Sequence, residues 1–219
     1  DNILSLLPGE YQVRKSLVIP EKYSLLLKPG TTLIMHPKTS ILVYGQLTAI
    51  GETNRPIQIK PLKDDQPWGS LLILKANSVS RINHLSVRGG SDDWIGGIYA
   101  SGQISFYHSD VIIENSQFLD AKADDSLNIK NASMTIAHSL FENNSSDAFD
   151  GDWVNGKVIG SQFINNGGDS IDVSGSDIVS QDNIITRSKD KGLSVGENSQ
   201  LVVANNLVEQ SAIGIASKD

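Results

Sequence analysis

The residues most suited to chemistry in this chain are aspartates that recur at a regular interval. Four of them lie six residues after the last apolar residue of a repeated block, namely Asp124, Asp147, Asp169 and Asp190. Asp150 and Asp172 follow two of these at a distance of three positions, with Asp125 and Asp152 nearby. If successive repeats stack as neighbouring strands, equivalent carboxylates lie about 4.8 Å apart. Like charges at that distance repel by roughly 1 kcal/mol in water and about 3 to 4 kcal/mol at an effective dielectric of 20. The column therefore needs cations, protonation or exposure to solvent.

Three kinds of chemistry are consistent with this acidic cluster. Carboxylate oxygens are the ligands that Ca²⁺ prefers, and this ion takes about six to eight of them. We therefore expect a Ca²⁺ site, with Asp147, Asp150, Asp169 and Asp172 as its ligands. Alternatively, the same four carboxylates and Lys191 are catalytic candidates that act as acid, base or nucleophile on a sugar polymer. The structural alternative is that each aspartate binds backbone N–H groups where a strand meets a turn.

Aromatic residues near the cluster indicate a carbohydrate ligand. Trp153 follows Asp152 directly, and an exposed indole ring at this position would stack on a sugar ring. We therefore expect Trp153 and Asp152 to contact the ligand. Trp68, Trp94 and Tyr99 are further aromatic candidates for the same role if their rings are exposed.

The aspartates belong to a repeat of about 22 residues. Five blocks open with a β-branched residue, carry Ser, Asp or Asn at the fourth position and close with Phe, Ile or Leu. They span residues 113–118, 136–141, 158–163, 179–184 and 202–207, so their starts lie 23, 22, 21 and 23 residues apart. The fourth positions are predicted to form an internal polar stack of Ser116, Ser139, Ser161, Asp182 and Asn205. The closing residues Phe118, Phe141 and Phe163 are predicted to pack in the core.

Between these blocks, apolar residues alternate with a period of two, as in Leu127/Ile129 and Leu193/Val195. Such alternation predicts short strands with one buried face, and the Asn-Asn, Gly-Gly and Ser-Ser pairs between them supply turns. The sequence shows no leucine-rich series and no long amphipathic helical pattern. It therefore predicts an all-β fold, a single-stranded right-handed parallel β-helix of about nine to ten coils of roughly 22 residues each.

We expect one domain over residues 1–219. Residues 1–104 show the alternation with looser spacing and form irregular N-terminal coils, whereas residues 105–219 hold the regular repeats. The sequence stops in mid-coil without a polar cap, although the open strand edges of a solenoid need one. We therefore expect the chain to be truncated at its C-terminus, or its end to meet another copy or a covalently joined neighbour domain.

Composition excludes several classes of protein. Of 219 residues, 39% are hydrophobic and 20% charged, so the chain can bury a core. Its apolar runs are far shorter than the roughly 18 residues of a membrane-spanning helix, so we expect no membrane insertion. With 18 basic and 25 acidic residues, the net charge is −7, and nucleic acid is not an expected partner. The absence of cysteine excludes disulfides, thiolate metal sites and a cysteine nucleophile.

Several motifs carry a resemblance to a known family. The regular repeats contain Asp125–Ile129, Ser146–Asp152, Gly168–Ser174 and Asp190–Gly196, and the early coils contain Leu27–Leu33, Gly45–Ala49, Pro56-Ile57 and Trp68-Gly69. With these motifs the chain resembles the pectate-lyase-like right-handed parallel β-helix superfamily. Residues 105–217 resemble a bacterial subgroup of extracellular or envelope proteins, sometimes joined to a spore-coat-protein-H-like kinase domain.

The resemblance implies an extracellular or cell-envelope location in a bacterium, and the acidic cluster with Trp153 indicates a carbohydrate polymer as partner. We expect an oligo- or polysaccharide to bind the acidic coil face with Ca²⁺ as cofactor. One alternative is a polysaccharide lyase or hydrolase using the same aspartates, for which Arg187, Lys189 and Lys191 are the nearest basic residues. The Gly-His-Gly motif usual in glycosidase-type β-helices and the Asp-Pro-His motif of uronan epimerases are absent. The other alternative is a structural or adhesive spacer without a ligand.

Overall fold

The chain forms a parallel β-solenoid of nine coils. The computed structural model describes residues 2–218, which contain 29 strands and, within that range, no helix. Three sheets of nine strands each run the length of the molecule, and every coil contributes one strand to each sheet. Within the sheets all strand pairs are parallel. The predicted β-helix of about nine to ten coils is therefore confirmed.

The strands are numbered in chain order. Sheet A consists of β1 (Asn2–Leu6), β4 (Tyr23–Leu27), β7 (Leu47–Ile50), β10 (Ser80–Asn83), β15 (Val111–Glu114), β18 (Ser133–Ala137), β21 (Asn155–Ile159), β24 (Asp177–Gln181) and β27 (Gln200–Ala204). Sheet B consists of β2 (Gly9–Val13), β5 (Thr31–Met35), β8 (Ile57–Pro61), β11 (Leu85–Arg88), β16 (Gln117–Leu119), β19 (Leu140–Glu142), β22 (Gln162–Ile164), β25 (Ile184–Thr186) and β28 (Leu207–Glu209). Sheet C consists of β3 (Leu17–Ile19), β6 (Ile41–Val43), β9 (Leu71–Leu74), β14 (Gly102–Tyr107), β17 (Asp125–Lys130), β20 (Asp147–Asp152), β23 (Ile171–Ser174), β26 (Lys191–Val195) and β29 (Ile213–Ser217).

The core is a set of apolar columns inside the solenoid, one residue per coil. Phe118, Phe141 and Phe163 stack with ring centroids 4.6 and 4.7 Å apart and planes within 7° of parallel. These three rings are fully buried, as predicted. The offset between centroids matches the strand spacing within a sheet, so the backbone ladder itself brings the rings into contact.

The register corrects two of the predicted blocks. Val158 pairs with Ser180, and Ser180 pairs with Val203, so the last two blocks start one residue later than expected. The polar stack consequently continues from Ser161 to Asn183, whose Oδ1 accepts a hydrogen bond from the Ser161 N–H at 2.8 Å. The error arose because Val179, an outward-facing residue, is β-branched like the inward residues at the block starts.

The same slip misplaced Asp182 and Asn205 in the polar stack. Both instead adopt left-handed backbone conformations, with φ of 55° and 52°, at the corner between sheets A and B. Asn115 occupies the same corner one coil after His84. Asn and Asp tolerate this conformation better than other residues except glycine, which explains why such residues recur at the corners.

One element outside the solenoid covers part of sheet C. Strands β12 (Asp93–Ile95) and β13 (Ile98–Ala100) form an antiparallel hairpin, and its turn residues Gly96 and Gly97 both have positive φ. Ile95 and Ala100 pack on the outer surface of sheet C, against a small apolar cluster that includes Leu42, Leu72, Leu74 and Tyr107. The hairpin therefore buries outward-facing residues of sheet C in the early coils.

Coil length varies along the chain. Thr48 pairs with Arg81 and Arg81 with Ile112, steps of 33 and 31 residues, whereas Ile112 pairs with Thr135, a step of 23. The longer coils hold the hairpin and other loops. Among residues 2–218, no helix has the length and apolar character required to cross a membrane.

Candidate functional site

The acidic residues lie together on the outer face of sheet C, on strands β17, β20 and β23. In the hairpin-covered coils, the outward column consists of Leu42, Leu72 and Ser105, all at most 1% exposed. One coil later Asn128 is still fully buried, and the next two residues of the column are the half-buried Asp150 and Asp172. The acidic face therefore opens to solvent where the hairpin ends.

The first aspartate column differs from the predicted one at both ends. Asp125 pairs with Asp147, and the pairing of Phe149 with Ile171 aligns Asp147 with Asp169. The column therefore contains Asp125 rather than Asp124. At its other end Lys191 takes the place predicted for Asp190, because Ile171 pairs with Leu193. The alignment of Leu127 with Phe149 was available in the sequence and would have placed Asp125 correctly.

Asp147 and Asp169 each bind the backbone of the following coil. The Asp147 Oδ1 accepts a hydrogen bond from the Asp169 N–H at 2.7 Å, and the Asp169 Oδ1 accepts one from the Lys191 N–H at 2.7 Å. These bonds fix the carboxylates at the start of each strand. They are the turn contacts expected from the structural alternative. They leave the second oxygen of Asp147 available, whereas the second oxygen of Asp169 lies 3.3 Å from Lys191 Nζ.

Three of the four predicted metal ligands converge. Asp147, Asp169 and Asp172 each place one carboxylate oxygen within 4.8 Å of the others. We call these three residues the aspartate triad. Asp150, the fourth predicted ligand, lies outside the triad and accepts a hydrogen bond from Asn128 Nδ2 at 2.6 Å. The register therefore brings together acidic groups that are up to 25 residues apart in the sequence.

Burial makes several of these carboxyls hard to ionise. Burial, reinforced by three neighbouring carboxylates, raises the pKa of Asp150 to about 9. It also raises the pKa of Asp125 to about 7 and that of Asp147 to about 6. The pKa of Asp172 is raised for the same reason. At neutral pH, and without a cation, Asp150 is therefore protonated, which relieves part of the repulsion expected for the column.

The lysines near the acidic face are held in ion pairs. Lys191 Nζ lies 3.3 Å from Asp169 Oδ2 and also contacts Asp190, whose hydrogen bond raises the pKa of the lysine. Lys130 Nζ lies 2.9 Å from Asp152 Oδ2. A general base must be able to lose its proton, so these contacts disfavour the proposed catalytic use of Lys191. Asp152, which was predicted to contact the ligand, thus has Lys130 as a partner within the protein.

Trp153 lies at the end of β20, beside the acidic face, and is 60% exposed. Its φ is 51°, at a corner where the preceding and following coils place Asn131 and Gly175. A side chain at Gly175 would meet the indole ring at 2.6 Å, so the ring lies against bare backbone of the next coil. The left-handed conformation recurs at the corners of this solenoid, where His84, His138 and Arg187 also adopt it, and it costs a bulky tryptophan more than an asparagine.

The hairpin places two further aromatic rings at the other border of the acidic face. Trp94 is 68% exposed and packs beside Tyr99 with centroids 5.4 Å apart. The Tyr99 hydroxyl lies 3.0 Å from Asp124 Oδ2 and 3.1 Å from Asp92 Oδ2, and burial together with these carboxylates raises the pKa of Tyr99. Sequence reasoning identified both rings but neither the hairpin nor Asn128. The third candidate, Trp68, is 1% exposed and packs in the core, so its ring is not open to a ligand. The Gly96-Gly97 turn between Ile95 and Ile98 was the available signal for the hairpin.

Comparisons with known proteins find two solved structures with weak similarity to this chain. An alginate lyase from Paenibacillus sp. str. FPU-7 is 13% identical, with a TM-score of 0.32 over 81% of this chain and 69% of the lyase. ORF18 of Geobacillus virus E2 is 11% identical, with a TM-score of 0.27 over 99% of this chain and 53% of that protein. No curated protein sequence matches the chain. The family described as right-handed β-helix region matches residues 71–218, more than half of the sequence, and the chain therefore belongs to the right-handed β-helix family.

Proposed function

We propose that this protein binds an oligo- or polysaccharide on its acidic face, outside the cell or in the cell envelope of a bacterium, with Ca²⁺ held by the aspartate triad. The observation that carries the proposal is the convergence of three carboxylate oxygens within 4.8 Å of one another, from two adjacent coils. The backbone hydrogen bonds to Asp147 and Asp169 hold two of these ligands in place before any ion binds.

The donor set suits a hard cation. Ca²⁺ takes about six to eight oxygen ligands, so three carboxylates leave positions for water or for hydroxyl and carboxylate groups of a sugar. Beside Asp150, which separates it from Asp172 in the same column, Asn128 is fully buried, and within residues 2–218 its Oδ1 has no hydrogen-bond partner. A bound cation would also favour the ionised carboxylates and so oppose the effect of burial on their pKa values.

The exposed aromatic rings support a carbohydrate as the ligand. Trp153 and Trp94 border the acidic face, and each ring leaves more than half of its surface in solvent. A sugar lying across the face would place its apolar ring face on an indole and its hydroxyls on carboxyls. The strain at Trp153 is a cost that a corner asparagine would avoid, which supports a role in binding rather than in stability.

Hydrolysis of the bound sugar is the second candidate function. Asp150, with a pKa of about 9, is protonated at neutral pH, whereas Asp147, with a pKa of about 6, is mostly ionised. Two carboxyls with pKa values that far apart are suited to act as general acid and as base or nucleophile. Elimination by a lyase is less favoured, because Lys191 is held protonated in its ion pairs.

The metal site is tested by calorimetry without a sugar. At a Ca²⁺ concentration about 100 times the dissociation constant, binding stabilises the folded chain by about 2.7 kcal/mol, which raises the Tm by roughly 5 to 10 °C. We expect this increase to be absent in Asp147→Asn/Asp172→Asn. The control is Asp177→Asn, at an exposed residue of sheet A, which should keep it. No Tm change with Ca²⁺ in the unmodified protein would eliminate the metal site.

The ligand and the reaction are tested with pectin, alginate and glycosaminoglycan fragments. Binding should depend on Ca²⁺ and on Trp153. Release of reducing ends that is lost in Asp150→Asn, with binding retained, would establish hydrolysis. Absorbance from unsaturated uronate products would instead establish a lyase. Absence of binding and of both reactions would leave only the structural or adhesive spacer.

A further inference from the structure

A second polar groove lies away from the acidic face, at the corner between sheets A and B. Two adjoining depressions of about 350 and 300 Å³ share His84, Asn115 and Gln117 and thus form one groove. It extends from Gln58 to Gln162, which occupy the same outward column of sheet B through the pairings of β8, β11, β16, β19 and β22. Five coils at about 4.8 Å spacing give a length of about 19 Å.

The floor of this groove is rigid because its polar groups are paired. The hydroxyls of Ser116, Ser139 and Ser161 donate to backbone carbonyls two residues earlier, at 2.7 to 3.1 Å. The same oxygens accept hydrogen bonds from the backbone of the preceding coil at 3.2 Å. Binding here would therefore require little ordering of the protein.

The rim of the groove, in contrast, has unused donors and acceptors. Within residues 2–218, the side chains of Gln58, Gln117, Gln162, His84 and His138 make no hydrogen bond within the protein. Elsewhere the corner residues bond to one another, as Asn165 Nδ2 does to Asn143 Oδ1 at 2.7 Å. At this corner His84, His138 and Gly160 interrupt the series of hydrogen bonds between corner side chains of adjacent coils. A side chain at Gly160 would meet the His138 ring at 2.7 Å. Amide and imidazole groups are thus left free to bind a ligand.

We propose that this amide-lined groove binds a neutral oligosaccharide chain running parallel to the solenoid axis. The described residues that line it include no Asp, Glu, Lys or Arg, so an ionic ligand would find no charged partner. Amides and imidazoles both donate and accept, as sugar hydroxyls do. An extended peptide is a poorer match, because strands β11, β16 and β19 are paired on both edges and offer no free edge for strand addition.

The test uses ¹⁵N-labelled protein and NMR with four neutral probes, namely the pentasaccharides of cellulose, xylan, mannan and amylose. We expect at least one probe at millimolar concentration to shift the side-chain amide signals of Gln117 and Gln162 and the ring signals of His138. Gln117→Ala/Gln162→Ala should weaken binding by roughly tenfold or more. Both residues are exposed, so the fold should be retained. The matched control is Gln200→Ala, an exposed glutamine on sheet A, which should leave binding unchanged.

Several outcomes would overturn this inference. Absence of shifts with all four probes would do so, as would equal weakening by Gln200→Ala. Shifts produced by a Gly-Ser decapeptide but by no sugar would show that the groove binds peptides. Binding that disappears in Asp147→Asn/Asp172→Asn would place the sugar on the acidic face instead. Because this groove is separate from that face, failure here leaves the aspartate triad untouched.

Discussion

At the scale of single residues, the aspartates of the acidic face combine two functions that first stood as alternatives. Asp147 and Asp169 bind the backbone of the next coil, as aspartates at turns do, and together with Asp172 they also form a cluster of ligand oxygens. A hydrogen bond from backbone N–H uses only one of the two carboxylate oxygens. The structural contact therefore orients the group. The second oxygen remains for chemistry at Asp147, whereas at Asp169 it is shared with the ion pair to Lys191.

The raised pKa of Asp150 predicts a specific dependence of stability on pH. Its pKa is about 9 in the folded chain, whereas the ordinary pKa of an aspartate is 3.8, so between these values the folded state binds a proton that the unfolded state lacks. Stability without Ca²⁺ should therefore fall as pH rises from about 4 to 9. Asp150→Asn removes this proton uptake. We expect it to raise stability at pH 8 by about 1 kcal/mol or more, and to change little near pH 4.

Urea unfolding of both proteins across this pH range provides the measurement. The buffer should contain a chelator, because a bound cation would mask the titration. Asp177→Asn, at an exposed residue, serves as the control for loss of one carboxyl. Parallel pH profiles for Asp150→Asn and the unmodified protein would contradict the proposed burial of this carboxyl.

Trp153 allows stability and binding to be separated. Replacement with Asn, the residue that the preceding coil uses at this corner, should relieve backbone strain and stabilise the chain by about 1 kcal/mol. The same change removes the exposed ring and should abolish Ca²⁺-dependent carbohydrate binding. Thermal unfolding and a binding assay on the same preparation test both effects. Loss of stability in Trp153→Asn would show that the indole is a packing element instead.

At the scale of elements, the alternating apolar residues were sufficient to predict the strands and their stacking. Leu127 and Ile129 gave the inward face of β17, and the three phenylalanines gave the register of three coils. The register of the later coils was wrong by one residue because Val179 and Ile178 are both β-branched, and composition alone does not distinguish inside from outside there. The pairing of Asp150 with Asn128 follows from the alignment of Leu127 with Phe149, but the burial of Asn128 does not follow from the repeat pattern.

The hairpin β12–β13 lies outside the three long sheets and packs on sheet C through a small apolar cluster, which predicts a local effect of mutation. Ile95 is buried against sheet C, whereas its neighbour Trp94 is 68% exposed. Ile95→Ala should destabilise the hairpin by about 2 kcal/mol or more, because it leaves a cavity over Leu42 and Leu72. Trp94→Ala should change stability by less than about 0.5 kcal/mol.

Hydrogen exchange of the hairpin amides measures this difference directly. Faster exchange in Ile95→Ala should be confined to the hairpin and the part of sheet C that it covers. Exchange accelerated equally in all nine coils would mean that the hairpin is required for the whole solenoid to fold.

At the scale of the whole molecule, charge is distributed unevenly along the axis. Residues 91–219 hold 19 of the 25 acidic side chains but only 7 of the 18 basic ones, whereas residues 1–90 carry a basic excess. The acidic face thus lies in the half of the molecule where repulsion is greatest. Cation binding at the triad would lower this repulsion.

This asymmetry predicts that added salt stabilises the protein when Ca²⁺ is absent. Increasing NaCl from about 0.01 to 0.5 M shortens the Debye length from about 30 Å to below 8 Å and should raise the Tm by a few degrees. The increase in Tm with NaCl should be smaller with saturating Ca²⁺. Calorimetry at both salt concentrations measures this change in Tm. A Tm that falls with salt would mean that attractive ion pairs dominate.

The pairing of each coil with only its two neighbours has a consequence for how such a protein can gain or lose coils during evolution. Asn155 pairs with Asp177 and Phe149 with Ile171, so excision of residues 155–176 would join two equivalent corners and keep every later strand aligned. The shortened chain would lose Asp169 and Asp172 and bring Lys191 beside Asp147. Gain or loss of one coil would thus convert an anionic surface patch into one with both acidic and basic groups, while the solenoid stays intact.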